Sequence, residues 1–389
     1  MGSFTQHIHT VEDIKIWLGG NHRQIVCHII VFLGFAAIYL LRDIGLLDAL
    51  ICAIQALPFL VLQLPVDIRT TLFQDLVVRC MRYAFSNIPS RITRVFFTRG
   101  VALPFLRFRM FRHGYFKQLA RPIWSEVHRA EDGLKGLWIV EDRDKKPDLF
   151  IYYSHGGGFA MGSSYFYLEF LITWISILKE SGFMNPAIFA LEYTLVPEQT
   201  YPHQLGEMLV GYNYVLSIAG DPDQIVVSGD SAGGTLTLSL LLSLASQHPN
   251  KKPALATLIS PWTNLVSELN RNTSTDYLNV EKLHDLARQY AGLHRVYDPL
   301  MSPGCCMDTL WWERAMPTKG MHYYYGSEEV FCESIRTMAK RLERIGPVTC
   351  HEDESLHAWP FAVLFLGGHK EERAAGLRTV SRDIAQALL

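Results

Sequence analysis

A serine with glycine two residues away on either side, Gly229-Asp230-Ser231-Ala232-Gly233, follows the β-branched run Val226-Val227-Ser228 and opens into an apolar run from Leu236 to Leu244. This reads as strand, sharp turn and helix, with the serine hydroxyl carried on the turn. Such a turn forces the serine into strained backbone angles, and any side chain at 229 or 233 would collide with neighbouring backbone. A bare Gly-x-Ser-x-Gly arises by chance in about one chain in ten of this size, so the flanking strand and helix carry much of the signal. Upstream, the apolar strand Leu149–Tyr153 runs into His155-Gly156-Gly157-Gly158. Three glycines leave backbone N–H groups bare and able to approach a developing oxyanion. A dinucleotide fingerprint fails on spacing, because position 161 is Met, and no phosphate-binding lysine follows either glycine cluster. The pair of motifs therefore points to acyl transfer through a serine nucleophile.

Together with Glu192-Tyr193-Thr194-Leu195-Val196-Pro197-Glu198, Tyr201-Pro202 and Ser260-Pro261-Trp262, these motifs resemble, in order and spacing, the hormone-sensitive-lipase-like branch of the α/β-hydrolases. The resemblance covers about residues 120–389. By its apolar N-terminus the chain further resembles fungal steryl acetyl hydrolases. The implied fold is α/β: a mostly parallel eight-stranded sheet, helices on both faces and a helical cap. The implied reaction is ester hydrolysis, with Ser231 as nucleophile and the N–H groups of Gly157, Gly158 and Ala232 as oxyanion hole.

Serine needs a base, and the base needs an orienting acid; in this fold both follow the serine, acid first. The acid is expected after the strand ending at Tyr325, where the chain reads Gly326-Ser327-Glu328-Glu329. The family usually has aspartate two residues after that glycine, so the spacing favours Glu328, with Glu329 as the fallback. Of the three histidines that follow, His351 alternates within a strand and His369 precedes a charged helix. His357, in the short loop Ser355-Leu356-His357-Ala358-Trp359, is the expected base. No metal or organic cofactor is called for.

The elements that must position these residues alternate along the chain. Strands are expected at Trp124–His128, Leu137–Glu141, Leu149–Tyr153, Ala187–Tyr193, Ile225–Ser228, Ala254–Ser260, Met321–Tyr325 and Val348–Glu352. Helices are expected at Tyr165–Lys179, Gln204–Ile218, after Ser231, at Ile335–Arg344 and at Glu371–Leu388. The alternation implies a parallel sheet covered on both faces. Between about 263 and 312 periodicity is lost, and this stretch is expected to be a cap insertion.

The N-terminal third is different. A polar tail precedes the apolar run Ile25–Leu41, expected to be a membrane anchor, and Ile44–Val66 forms a second apolar stretch, either a return span or an interfacial helix. Residues 67–121 carry eleven basic side chains against Asp67 and Asp75, interleaved with phenylalanines. That mix suits an arm that contributes to the cap and faces an anionic bilayer. The expected organisation is thus 1–66 tail and anchor, 67–121 basic arm, and 122–389 catalytic domain.

Of 389 residues, 49% are hydrophobic, and a net charge of −2 gives no reason to expect nucleic acid. The seven cysteines lack metal-binding or disulfide spacing. An apolar cap beside a membrane favours a hydrophobic ester, and the likeness to steryl acetyl hydrolases implies removal of acetyl from a sterol, terpenoid or other lipophilic product, at the endoplasmic reticulum. On the residues alone, a ligand receptor or an eliminating or cyclising enzyme on the same fold stays open. So does the side of the membrane: basic residues favour the cytosolic face, whereas Asn272-Thr273-Ser274 is a glycosylation sequon usable only in the lumen.

Overall fold

The computed structural model describes residues 22–43, 51, 72–113 and 123–389. Apart from Ile51, the second apolar stretch lies outside the described residues, as do the tail through residue 21 and residues 114–122.

Among the described residues, α1 (His22–Asp43), α2 (Leu72–Asn87), α3 (Ser90–Phe97) and α4 (Arg99–Arg112) precede the sheet. Then follow β1 (Trp124–His128), β2 (Lys135–Val140), β3 (Leu149–Ser154), α5 (Leu168–Glu180), β4 (Pro186–Leu191), α6 (His203–Ala219), β5 (Ile225–Asp230), α7 (Ala232–Gln247), β6 (Leu255–Ile259), α8 (Val280–Ala291), α9 (Thr309–Ala315), β7 (Met321–Gly326), α10 (Cys332–Leu342), β8 (Val348–Asp353), α11 (Trp359–Leu366) and α12 (Lys370–Leu388). The strands form one eight-stranded sheet in the order β1-β2-β4-β3-β5-β6-β7-β8. β2 runs antiparallel to β1 and β4, and every other neighbouring pair is parallel. This is the α/β-hydrolase architecture.

Strands β3, β4 and β5 are buried at every position, as their near-continuous apolar sequences require when helices cover both faces. One face packs on α6, α7, α8, α9 and α10 around Trp262, Tyr290 and Trp312. The other packs on α4, α5, α11 and α12 around Trp174, Leu171 and Leu377. Three helices of the catalytic domain, α8, α9 and α11, are absent from the sequence reading. Within the insertion, α8 is started by the Asn279 side chain accepting from Lys282 N–H and buries Leu283, Leu286, Ala287 and Tyr290. After the histidine loop, α11 has Pro360 in its first turn.

Among the described residues no helix is long and apolar enough to cross a membrane. The run expected as an anchor instead lies in α1, which packs one side on the arm: Ala36 is fully buried, and the Phe32 ring meets Phe96 at 5.8 Å and Phe105 at 4.7 Å. Its other side leaves Ile30, Leu33, Ile38 and Leu41 exposed.

Several arm arginines expected to face a bilayer turn inward. Arg109 of α4 forms a buried ion pair with Glu169 of α5, Nη2 to Oε1 2.9 Å, and also donates to the Leu364 carbonyl of α11. Removing one member strands the other charge away from water, which costs about 3–5 kcal/mol. Denaturant unfolding of Arg109→Ala is expected to show a loss of that size; an unchanged midpoint would mean that the pair does not fasten the arm.

Candidate active site

The sheet sets the site residues at one edge. β5, β6, β7 and β8 are parallel neighbours, so the loops leaving their C-terminal ends converge. Ser231 leaves β5 at φ 52°, ψ −119°, outside the ordinary range for a side-chain-bearing residue. The turn is held by Ser231 N–H to Ile259 O and Trp262 N–H to Ser231 O, both 3.0 Å. A Cβ at Gly229 would sit 2.5 Å from the Gly233 carbonyl oxygen, and one at Gly233 would strike the Ser154 carbonyl oxygen. Both glycines are therefore forced by the crossing of strand and helix. Ala232 is the first residue of α7, where helix N–H groups and the helix dipole favour negative charge.

The glycine loop is fixed from below by Asp230. Its carboxylate accepts from Gly156 N–H at 2.8 Å, Tyr153 OH at 2.6 Å and Tyr167 OH at 2.7 Å. Burial pushes the Asp230 carboxyl above its usual range, while the two phenols, His357 and the Gly156 N–H oppose that rise. His155 stacks on Tyr193 at 4.4 Å, and the Tyr193 hydroxyl donates to the His155 carbonyl. Burial lowers its imidazole to about 4, so it is a neutral structural ring at physiological pH. Gly157 and Gly158 have φ of 117° and 60°, left-handed backbone that favours glycine. The N–H groups of Gly157, Gly158 and Ala232 have no acceptor among the described residues. Over this loop lies α8: Leu286 touches Gly158, and Tyr290 stacks on Phe159 at 3.8 Å.

His357 is buried in the loop between β8 and α11, followed by Ala358 in the left-handed conformation at φ 57°. Its Nδ1 lies 3.6 Å from Glu329 Oε1, an ion-pair distance, and among the described residues neither atom has a hydrogen-bond partner. The other Glu329 oxygen accepts from Ser260 Oγ at 2.5 Å and Gly326 N–H at 2.9 Å, which aims Oε1 at the imidazole. Ser260 Oγ in turn accepts from Ala358 N–H, so one hydroxyl ties the acid to the histidine loop. Of the two glutamates, then, Glu329 faces His357. Glu328, favoured on family spacing, is half-exposed; its N–H meets Ser355 O and its carbonyl accepts from Thr273. The physical reason is that the loop brings the third residue after Gly326, not the second, back over the strand end. His351 stacks on Tyr324 and meets Asp383 at 2.6 Å, and His369 is exposed at the start of α12, so neither joins the site.

Burial works against a charged His357, but the nearby carboxylate of Glu329, with Asp276 and Asp230, outweighs it and raises the imidazole above its ordinary 6.5. This arrangement favours the imidazolium that forms when a base takes the serine proton. Sequence reasoning missed Ser260, Asp230 as the loop's anchor, and Asp276. Ser260 and Asp230 stand in motifs that had drawn notice, whereas Asp276 stands in no motif.

Comparison with known proteins bears on the fold and the family. The family model described as steryl acetyl hydrolase matches residues 133–357. An acetyl-hydrolase of Streptomyces hygroscopicus is 29% identical over 57% of this chain and 71% of its own length. Steryl acetyl hydrolase 1 of Saccharomyces cerevisiae is 25% identical over 52% of this chain and half of its own length. Among solved structures, an esterase from the bacterial hormone-sensitive lipase family aligns with TM-score 0.63 at 20% identity, over 81% of this chain and 98% of the other. A hormone-sensitive lipase from a metagenome library aligns with TM-score 0.61 at 20% identity, over 82% and 100%. The protein is a carboxylesterase-type serine hydrolase with the α/β-hydrolase fold. Within that class, the chain belongs to the steryl acetyl hydrolase family.

The geometry separates the two glutamates in the test tube. Glu329→Gln is expected to lower kcat by about four orders of magnitude, as loss of the orienting acid does in other triads, whereas Glu328→Gln stays within about threefold. Because Glu329 raises the His357 pKa, the acidic limb of kcat/KM should also move to lower pH in Glu329→Gln. Equal effects of the two changes would contradict the assignment.

Proposed function

We propose that this esterase removes a short acyl group, acetyl foremost, from a lipophilic alcohol such as a sterol or terpenoid, working at a membrane surface. The observation that carries the chemistry is the buried Glu329–His357 pair beside the strained Ser231 turn and the unpaired N–H groups of the glycine loop. His357 takes the proton as Ser231 Oγ attacks the ester carbonyl, and the N–H groups of Gly157, Gly158 and Ala232 hold the oxyanion. The imidazolium then protonates the departing alcohol, water attacks the acyl-serine with His357 again as base, and the acid is released. Glu329 keeps the ring oriented and stabilises its positive charge.

Two further observations support the substrate class. Phe159, Trp262, Tyr290 and Phe331 form a fully buried aromatic wall around the residues after the oxyanion loop and the acid, with Trp262 on Phe331 at 5.7 Å and Phe331 against His357 at 5.2 Å. Such a wall favours a small acyl group over a long one, in keeping with the names of the acetyl-hydrolase relatives. The exposed row Ile30, Leu33, Ile38 and Leu41 on α1, with exposed Phe111 between Arg107 and Arg112, fits a protein seated on an anionic bilayer. The endoplasmic reticulum is the membrane we propose.

Ser231→Ala should lower hydrolysis of p-nitrophenyl acetate by at least about a thousandfold and abolish fluorophosphonate labelling while leaving the melting temperature near that of the parent. In the parent, kcat/KM should fall at least about tenfold from the acetate to the octanoate ester; a preference for octanoate would reject the short-acyl reading. Ile30→Ser combined with Ile38→Ser should weaken flotation with anionic liposomes without changing turnover of p-nitrophenyl acetate. Unchanged flotation would reject the role given to α1.

A further inference from the structure

The N-terminal arm touches both halves of the catalytic site through single arginines. On the oxyanion side, Arg94 of α3 donates to the Ala160 carbonyl at 2.6 Å, to the Val196 carbonyl and to Glu198. On the acid-base side, Arg82 of α2 donates to the carbonyls of Ser274 at 2.6 Å and of Asp276 at 2.9 and 2.5 Å. The Asp276 side chain is fully buried. Its carboxylate accepts from its own neighbour Tyr277 N–H at 2.7 Å, from Val330 N–H at 2.8 Å and, more loosely, from His357 N–H at 3.4 Å. Val330 directly follows Glu329, so one carboxylate holds the backbones on which both the acid and the base are mounted.

We propose that Asp276 is a positioning residue for the Glu329–His357 pair, and that Arg82, clamped on the backbone of Asp276, makes that positioning depend on the seating of the N-terminal arm. The inference rests on the reading of Glu329 and His357 as acid and base. A carboxylate with only backbone donors in contact, far from water, is costly to keep and is a poor choice for stability alone. Its position serves geometry: beyond Gly326 and Asp353, where the strand pairing ends, it fixes the loops leaving β7 and β8 together with the backbone bonds Ser327 N–H to Asp353 O and Glu328 N–H to Ser355 O. It also adds negative charge beside the imidazole, together with Glu329 and Asp230, while Tyr277 presents its ring edge at 5.8 Å. Arg82 contributes from a separate segment of chain, almost two hundred residues away in sequence. Displacing α2 would withdraw the guanidinium from the 274–276 backbone and loosen both loops, so whatever seats the arm also sets turnover.

The test uses the full chain with Asp276→Asn, Arg82→Ala, Arg82→Lys and the double change, read by p-nitrophenyl acetate kinetics, pH profile and the rate of fluorophosphonate labelling. Asp276→Asn should lower kcat about tenfold or more with KM within about twofold, and should move the acidic limb of kcat/KM to lower pH because a negative neighbour of His357 is lost. Arg82→Ala should lower kcat about fivefold at similar KM, Arg82→Lys should recover part of it, and in the Asp276→Asn background Arg82→Ala should cost less than about twofold more. Labelling rates should fall in parallel. Wild-type kcat in Arg82→Ala, or full additivity of the two changes, would overturn the coupling. Should Asp276→Asn fail to fold, the Arg82 pair of variants decides alone. Wild-type turnover in Glu329→Gln would contradict the acid assignment itself, whereas normal Arg82 variants beside an inactive Glu329→Gln contradict only the coupling.

Discussion

The backbone of Ser231 is the constraint on which the rest depends. A side-chain-bearing residue at φ 52° costs of the order of 1–3 kcal/mol and persists only where its surroundings over-determine it. Here they do. The Ser231 amide and carbonyl are both bonded to the β6 segment, Gly229 and Gly233 admit the helix against the strand, and Ser154 of β3 donates to the Gly233 carbonyl at 2.8 Å. The strain lifts the serine to the edge of the sheet and aims the start of α7 at the same place. Asp230, one residue earlier, then fastens the glycine loop to the same turn, so nucleophile and oxyanion donors are built on one rigid piece.

Electrostatics complete the site from the neighbouring strands. Three carboxylates, Glu329, Asp276 and Asp230, act on a buried imidazole in the core of the site. Their combined field reverses the effect of burial and prepares the ring to carry positive charge. The same packing of aromatic rings that excludes water, Phe331 and Tyr277 edge-on to His357, strengthens that field by keeping the local dielectric low.

Much of this was legible in the sequence, for physical reasons. Buried parallel strands read as apolar runs, and β3, β5 and β7 begin where Leu149, Ile225 and Met321 begin those runs. The serine turn and the glycine loop advertise themselves because only glycine fits. The acid was harder: Glu328 and Glu329 are adjacent and chemically alike, and only the path of the loop over Gly326 selects the second. Helix α8 did carry a signal, the Asn279 cap and the spacing of Leu283, Leu286, Ala287 and Tyr290, but the polar residues before it read as irregular chain. The arm's arginines look like a solvated or membrane-facing set in sequence. That Arg82, Arg94 and Arg109 turn inward depends on partners 66 to 194 residues away for Arg94 and Arg82, and on Glu169 for Arg109, which no local pattern encodes.

The central claim is that an acyl group passes through Ser231. Mixing the enzyme with an acetyl ester, quenching in acid during the first turnovers and mapping peptides by mass spectrometry tests it most directly. The account predicts one acetyl group on the peptide that contains Ser231, gained during turnover and lost once ester is exhausted. Steady release of product with no acetyl on that peptide, or with acetyl on another residue, would contradict it.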